Sequence, residues 1–329
     1  MASINEATDE KNKMYKLATC GALLFFSVSS TLCAQASKSR DGSYAYDTFV
    51  IPFAAESLKC VVSIVMECGT GGSFKGSEFK VQRFLKFSIP AACYFVSNNC
   101  MFYIIRELGG VTFQVTNNLK ILSTGVLMRL FLGRKLTWLQ WKALIILAVG
   151  CTVTQFKSCE RADVKIPLDQ NLIMRGFGYA MIVLNAFASG AGGVVSEKLL
   201  KGSRQTQESI HMQNAQLYLF GAVFGLVAIR YNNLSKSIDN GKEDSYGVLS
   251  MFDGFNPYAF AAVLSLAATG LLVSVILKYM DNFVKCFVAA VSMLLVALFD
   301  ALMRDEHPTL QLFCGVTLTC LALEQYYFS

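Results

Sequence analysis

The sequence predicts an all-α membrane protein of ten transmembrane helices, arranged as two inverted repeats of five. Three observations carry this. Of the 329 residues, 54% are hydrophobic and only 16% charged, where a soluble domain carries about a quarter charged residues. The mean hydropathy is +0.45. Apolar runs of about 20 residues, the length that crosses a bilayer, recur along the whole chain, with the charges gathered in the links between them.

The elements follow in order. The spans are expected at about 15–36, 46–67, 84–106, 110–132, 137–155, 173–198, 209–230, 257–280, 282–303 and 308–328. The first run has signal-peptide features: Lys11, Lys13 and Lys16 precede it, and Ala34-Gln35-Ala36 resembles a cleavage site. It is nevertheless long enough to span, and further spans follow, so a retained helix is expected. Links are short except 68–83, 156–172 and 231–256. The last of these is polar and turn-rich and is read as extramembrane. It holds the sequon Asn233-Leu234-Ser235, too close to the expected end of the seventh helix for occupancy to be expected.

Ten spans place both termini on one side. Lys and Arg are slightly in excess on that side, which favours cytosolic termini. One transporter-like domain over 1–329 is expected, with repeats at about 15–155 and 173–328. An odd number of spans per repeat inverts the second copy. The junctions LFLGRKLTWLQWKALIILAVG and LFDALMRDEHPTLQLFCGVTLTCLA share a charged link, a Thr-containing turn and an apolar helix.

Composition also excludes. The net charge of +6 is scattered, with no basic-aromatic interleaving, so nucleic acid is not an expected partner. The eleven cysteines include no CxxC pair, and the two histidines lie far apart. The cysteines are read as small hydrophobic packers, and no metal, cofactor or catalytic residue is expected.

What remains is a set of polar residues inside the spans. Lys120 sits near the middle of the fourth helix, where a lysine costs a few kcal/mol at least and usually lines a polar cavity. Phe113, Asn117, Lys120 and Thr124 fall at i, i+4, i+7 and i+11, on one helical face. Glu56 and Lys59, spaced i, i+3, are expected to form an ion pair. Either it neutralises a structural cost, or it holds Lys59 until an anion takes it. Tyr94 and Asn98 share a face of the third helix, with Asn99 expected to bond a neighbouring helix. The SGAGG run from Ser189 permits close helix contact or a local break. Asn214, Tyr218, Gly221 and Gly225 line one face of the seventh helix. Lys285 lies about a turn into the ninth. Asp300, further along, is placed to cap or to pair with Arg304. Three intramembrane lysines against one intramembrane glutamate leave a net positive lining, suited to a substrate with phosphates. With no base and nucleophile in reach of one another, the residues point to binding and translocation, not to an enzyme.

The stretch FQVTNNLKILSTGVLMRLFLGRKLTWLQWKALIILAVG resembles the nucleotide-sugar transporter family, within the drug/metabolite transporter superfamily. The resemblance is to the branch of CMP-sialic acid and UDP-galactose transporters, and in particular to its plant-type CMP-sialic-acid-transporter-like members. AESLK, YFVSNN, SEKLLK, NAQLY, TGLLVSVILKYMDNFVKCF and PTLQLF extend it along the chain. The resemblance implies a multi-pass Golgi antiporter with cytosolic termini, exchanging a CMP- or UDP-sugar for a nucleoside monophosphate by alternating access. It also implies substrate contacts at Glu56, Lys59, Tyr94, Asn98, Phe113, Lys120, Thr124, Ser189, Asn214, Tyr218 and Lys285. Lys120 and Lys285 would hold phosphate, and the aromatic and Asn positions base and ribose. The lipid bilayer is the other expected partner, and a homodimer is left open. Phe113 lacks the hydroxyl of members with tyrosine there, Asn117-Asn118 replaces Tyr-Gln, and CFVAA follows Lys285 where Gly, Ser and Thr are commoner. These departures bear on sugar and base preference. The rival readings are a transporter of another organic phosphate, such as a sugar phosphate, and a non-transporting membrane scaffold or regulator.

Overall fold

A computed structural model describes residues 2–38, 44–70, 81–108, 113, 116–154, 172–202, 208–240, 249–303 and 309–328. These fold into α1 (Ala2–Ala36), α2 (Val50–Gly69), α3 (Val81–Lys86), α4 (Ser88–Leu108), α5 (Leu119–Leu132) and α6 (Trp138–Val153). There follow α7 (Leu172–Gly202), α8 (Ile210–Asn240), a 3-10 turn (Leu249–Phe252), α9 (Pro257–Tyr279), α10 (Asn282–Met303) and α11 (Leu310–Tyr327). All but α3 are fourteen residues or longer, and together they stand where ten spans are expected. Among the described residues, five helices are long and apolar enough to cross a membrane: those over 10–36, 176–202, 210–232, 257–279 and 282–303. Of the others, α2 carries Glu56, Lys59 and Glu67, and α5 and α6 are 14 and 16 residues long.

The expected boundaries shift where helix outlasts hydrophobicity. α8 continues through the polar run to Asn240, so the sequon at Asn233 lies within a helix and not in a loop. α1 likewise begins at Ala2. A helix satisfies its backbone internally and needs no apolar side chains beyond the bilayer. Of the fourth expected span, residues 110–112 and 114–115 lie outside the described residues, and α5 begins only at Leu119. The link at 304–308 and the side chain of Asp300 also lie outside them.

Helix starts and stops are written locally. Thr137 caps α6 in a reciprocal box: its hydroxyl accepts the Gln140 N–H at 3.2 Å, and Gln140 Oε1 accepts the Thr137 N–H at 3.2 Å. Thr309 accepts the Leu312 N–H at 3.4 Å at the start of α11. Asn256 caps α9, followed by Pro257. α5 ends at Gly133, whose φ of 65° is the left-handed conformation that glycine adopts without penalty.

The chain divides into two compact units. The first comprises residues 1–91 and 199–280, the second 92–198 and 281–329. In the first unit α2 packs on α8, and α9 on both α1 and α2. Its polar links are tied down: Asp47 Oδ2 accepts from Asn232 at 3.0 Å, and the Ser37 carbonyl accepts from Asn256 Nδ2 at 2.9 Å. In the second unit α6 packs on α11 and α10 on α11 and α6, around Met128, Leu144, Leu147, Val194, Phe283, Phe287 and Tyr326. Gly150 and Gly315 face each other there: a Cβ on Gly150 would sit 3.4 Å from the Gly315 carbonyl oxygen, and one on Gly315 3.0 Å from that of Gly150. The α6–α11 crossing is therefore a backbone-to-backbone contact.

Candidate functional site

The polar residues expected inside the spans fall into two clusters, one within each unit. In the first unit, Glu56 and Lys59 form the ion pair that their spacing predicts, Lys59 Nζ to Glu56 Oε1 at 2.6 Å. The ammonium also lies over the Tyr218 ring, 4.3 Å from its centroid, a cation–π contact. The Tyr218 hydroxyl donates to the Gly270 carbonyl at 2.9 Å and is 2.6 Å from Ser274 Oγ. Gly221 and Gly225 form a seam against α2. A Cβ on Gly221 would come within 2.7 Å of Glu56 Oε2, and one on Gly225 within 3.3 Å of Phe53. Asn214 is buried, and its Oδ1 has no hydrogen-bond partner among the described residues; both side-chain polar atoms of the neighbouring Gln213 share that state. A buried polar atom left unpaired costs free energy, so α8 turns polar groups inward that no described residue satisfies.

In the second unit α7 organises the site. The helix runs unbroken through SGAGG, and each glycine admits a different neighbour. Gly190 is against Ser123 and the Thr124 backbone of α5, Gly192 against the Tyr94 ring of α4, and Gly193 against the Asn282 amide and Lys285 Nζ of α10. A Cβ at these three positions would approach within 2.9, 2.9 and 2.7 Å, distances that real Cβ atoms do not tolerate. The choice that the sequence leaves between close contact and a break is settled in favour of close contact.

Lys120 is half-buried on α5, with Lys285, Cys286 and Cys151 as electrostatic neighbours. Two cations on separate helices thus converge, which favours an anion between them. Thr124 turns its hydroxyl back to the Lys120 carbonyl at 2.7 Å. Ser189 is half-buried at the start of the glycine run. Phe113 instead joins an apolar cluster with Cys100, Ile104 and Ile182. Asn98 is exposed, and Asn99 donates to the Phe95 carbonyl of its own helix at 2.8 Å, not to a neighbour. The polar bridge from α4 is made by Ser97, which donates to Asn185 Oδ1 on α7 at 2.7 Å.

Two further glutamates within the expected spans are buried. Glu197 on α7 is 1% exposed and accepts the Asn282 backbone N–H at 2.9 Å, and Glu67 on α2 is 7% exposed and accepts from Ser209. Both lie near helix ends, where charge is expected to reach water, so only packing reveals their burial. Beside Glu197, Asp281 caps α10 through the Val284 N–H at 3.0 Å and binds Arg134 at 2.8 Å. Burial works against the Arg134 charge, but the Asp281 hydrogen bond and charge hold the guanidinium above its ordinary value. Arg134 also lies over Phe283 at 5.4 Å. Among the described residues no cluster of His, Cys, Asp or Glu could hold a metal ion.

A polytopic helical protein that spends glycines to bring lysines, a tyrosine and buried amides together inside its spans is of the transporter class. The chain belongs to the nucleotide-sugar transporter family, whose model matches residues 10–327. It is 35% identical over 293 residues to CMP-sialic acid transporter 1 of Arabidopsis thaliana, covering 87% of this chain and 82% of that protein. The rice (Oryza sativa subsp. japonica) protein of the same name is 34% identical over 291 residues, covering 87% and 86%. The mouse (Mus musculus) UDP-galactose translocator is 37% identical over 211 residues, 64% of this chain and half of that one. A solved crystal structure superposes with a TM-score of 0.67 over 94% of this chain and 96% of its own, at 11% identity, a likeness of fold alone. These relatives are named transporters and a translocator, in agreement with the reading of translocation over catalysis.

Proposed function

We propose that this chain is a Golgi antiporter that exchanges a cytosolic pyrimidine nucleotide sugar, a CMP- or UDP-sugar, for a lumenal nucleoside monophosphate by alternating access. The single observation that carries the reading is the electrostatic proximity of Lys120 to Lys285, which lies, like the Tyr94 ring, against the glycines of α7. The two ammonium groups are suited to phosphate oxygens, the Tyr94 ring to stacking on a base, and Ser189 and Thr124 to hydroxyls. The first unit, taken by itself, also carries a cation and an aromatic in Lys59 and Tyr218, and an Asn214 side-chain oxygen unpartnered among the described residues. Sequence similarity to proteins named for CMP-sialic acid and UDP-galactose supports the pyrimidine class.

The repeats at about 15–155 and 173–328 are supported by helix pairing. Numbering the spans with α3 and α4 as the third, span 2 packs on span 7 and span 5 on span 10 (α2 on α8, α6 on α11). Span 1 packs on span 8 and span 3 on span 6 (α1 on α9, α4 on α7). If each span corresponds to the one five further on, the first two pairs map onto themselves and the other two onto each other.

Purified protein in liposomes preloaded with CMP or UMP tests the function. Trans-stimulated uptake of at least one CMP- or UDP-sugar is expected. Uptake of none, with insertion verified, overturns the reading.

A further inference from the structure

The Glu56–Lys59 pair is uneven in its access to water. The Lys59 side chain is 8% exposed, that of Glu56 30%. A buried ammonium cannot lose its counter-charge without a replacement, whereas a carboxylate with this much open surface can be solvated on its own. If the pair opens, Glu56 is the partner that leaves. The lysine has donors to spare: of its three N–H groups one reaches Glu56 Oε1, its other close neighbour is the face of Tyr218, and no further hydrogen bond from it is made among the described residues. The Tyr218 ring is fixed by its hydroxyl bonds to Gly270 and Ser274. Two glycines leave the space in which the pair lies. A Cβ on Gly221 would meet Glu56 Oε2 at 2.7 Å, and one on Gly270 would meet Lys59 Nζ at 2.8 Å. Lys59 is thus held in place from two sides, while Glu56 is held mainly by Lys59.

We propose that Glu56 is an internal counter-ion: it occupies Lys59 in the anion-free protein and yields it to an anionic oxygen of the substrate, so that carboxylate and substrate compete for one ammonium. The proposal rests on the transport reading above. The oxygen can belong to a phosphate or to the carboxylate of an acidic sugar, and the test separates the two.

The experiment measures Kd by calorimetry on the purified full-length protein, with CMP, UMP, CMP-sialic acid and uncharged cytidine as ligands. Wild type, Glu56→Gln, Lys59→Gln and the double variant are compared. Removing the competitor is expected to tighten anion binding by roughly three- to tenfold, the scale of one partly exposed ion pair, and to leave cytidine unchanged. In the Lys59→Gln background the gain is expected to vanish. Tightening with CMP or UMP assigns the phosphate. Tightening confined to CMP-sialic acid assigns the sugar carboxylate. Binding by Glu56→Gln that is equal to or weaker than wild type for every anionic ligand overturns the proposal and makes Glu56 a contact or a structural partner. Misfolding cannot produce a gain in affinity. Should Glu56→Gln not be recovered folded, Glu56→Asp, which keeps the charge on a shorter arm, is expected to tighten binding by about twofold, and no tightening overturns the proposal equally. A wild type that binds none of the four ligands overturns the transport reading itself, and this proposal with it.

Discussion

At the scale of single residues, the described charges separate into pairs that the chain itself satisfies and cations whose charged neighbour has the same sign. Arg134 and Asp281 belong to the first kind, at 2.8 Å and beside a helix cap. Lys120 belongs to the second, since its charged neighbour on α10 is another lysine. Lys120→Ala is therefore expected to leave membrane insertion and yield unchanged and to lower exchange at least about a hundredfold, as losing a charge-assisted contact of a few kcal/mol would. Uptake at the wild-type rate would make Lys120 structural. The sequence singles the position out, because a lysine at mid-span is costly. Its face was legible only in part. Thr124 keeps to it, whereas Phe113, on the far side of residues 114–115, packs in an apolar cluster, because an aromatic ring takes whichever neighbours exclude water best.

At the scale of elements, α7 is the scaffold of the second unit. Gly190, Gly192 and Gly193 each admit a different helix, and the fit at Gly193 touches Lys285 directly. Gly193→Ala places a methyl group within 2.7 Å of the Asn282 amide and 2.9 Å of Lys285 Nζ. Overpacking of this kind costs about 1–3 kcal/mol. A fall in Tm of several degrees and a several-fold loss of exchange are expected, measured against Gly176→Ala on the same helix, where a Cβ meets nothing within 4 Å. Equal Tm and exchange in the two variants would refute the assigned packing. The SGAGG composition was plain in the sequence. Which glycine faces which helix was not, because three glycines in five positions point around most of a helical turn and only the neighbours fix their roles.

At the scale of the whole molecule, the slight excess of Lys and Arg in the links on the side of the termini argues for cytosolic termini. Epitope tags at both ends should be accessible to antibody after selective permeabilisation of the plasma membrane, with Golgi membranes intact. Tags that require full permeabilisation would reverse the orientation. The all-helical, membrane-spanning class was readable in advance, since membrane-length apolar runs are long, strong signals. Their ends were less so: α8 extends ten residues beyond the expected 230, because loss of hydrophobicity ends a membrane span but does not end a helix.

By itself, the sequence determined that this is an all-helical membrane chain and carried, in the turns at Thr137 and Thr309, the starts of two of its helices. It also carried the Glu56–Lys59 pair, because residues three apart on a helix must meet. Only the tertiary structure decided the partners between helices: Tyr218 over Lys59, Asn185 with Ser97, Glu197 under the start of α10, and Gly150 against Gly315. The physical reason is range. Hydrophobic length, capping and i, i+3 pairing are local and are written in neighbouring residues. Which faces of two helices touch depends on how well their surfaces interlock, a property that belongs to neither helix alone.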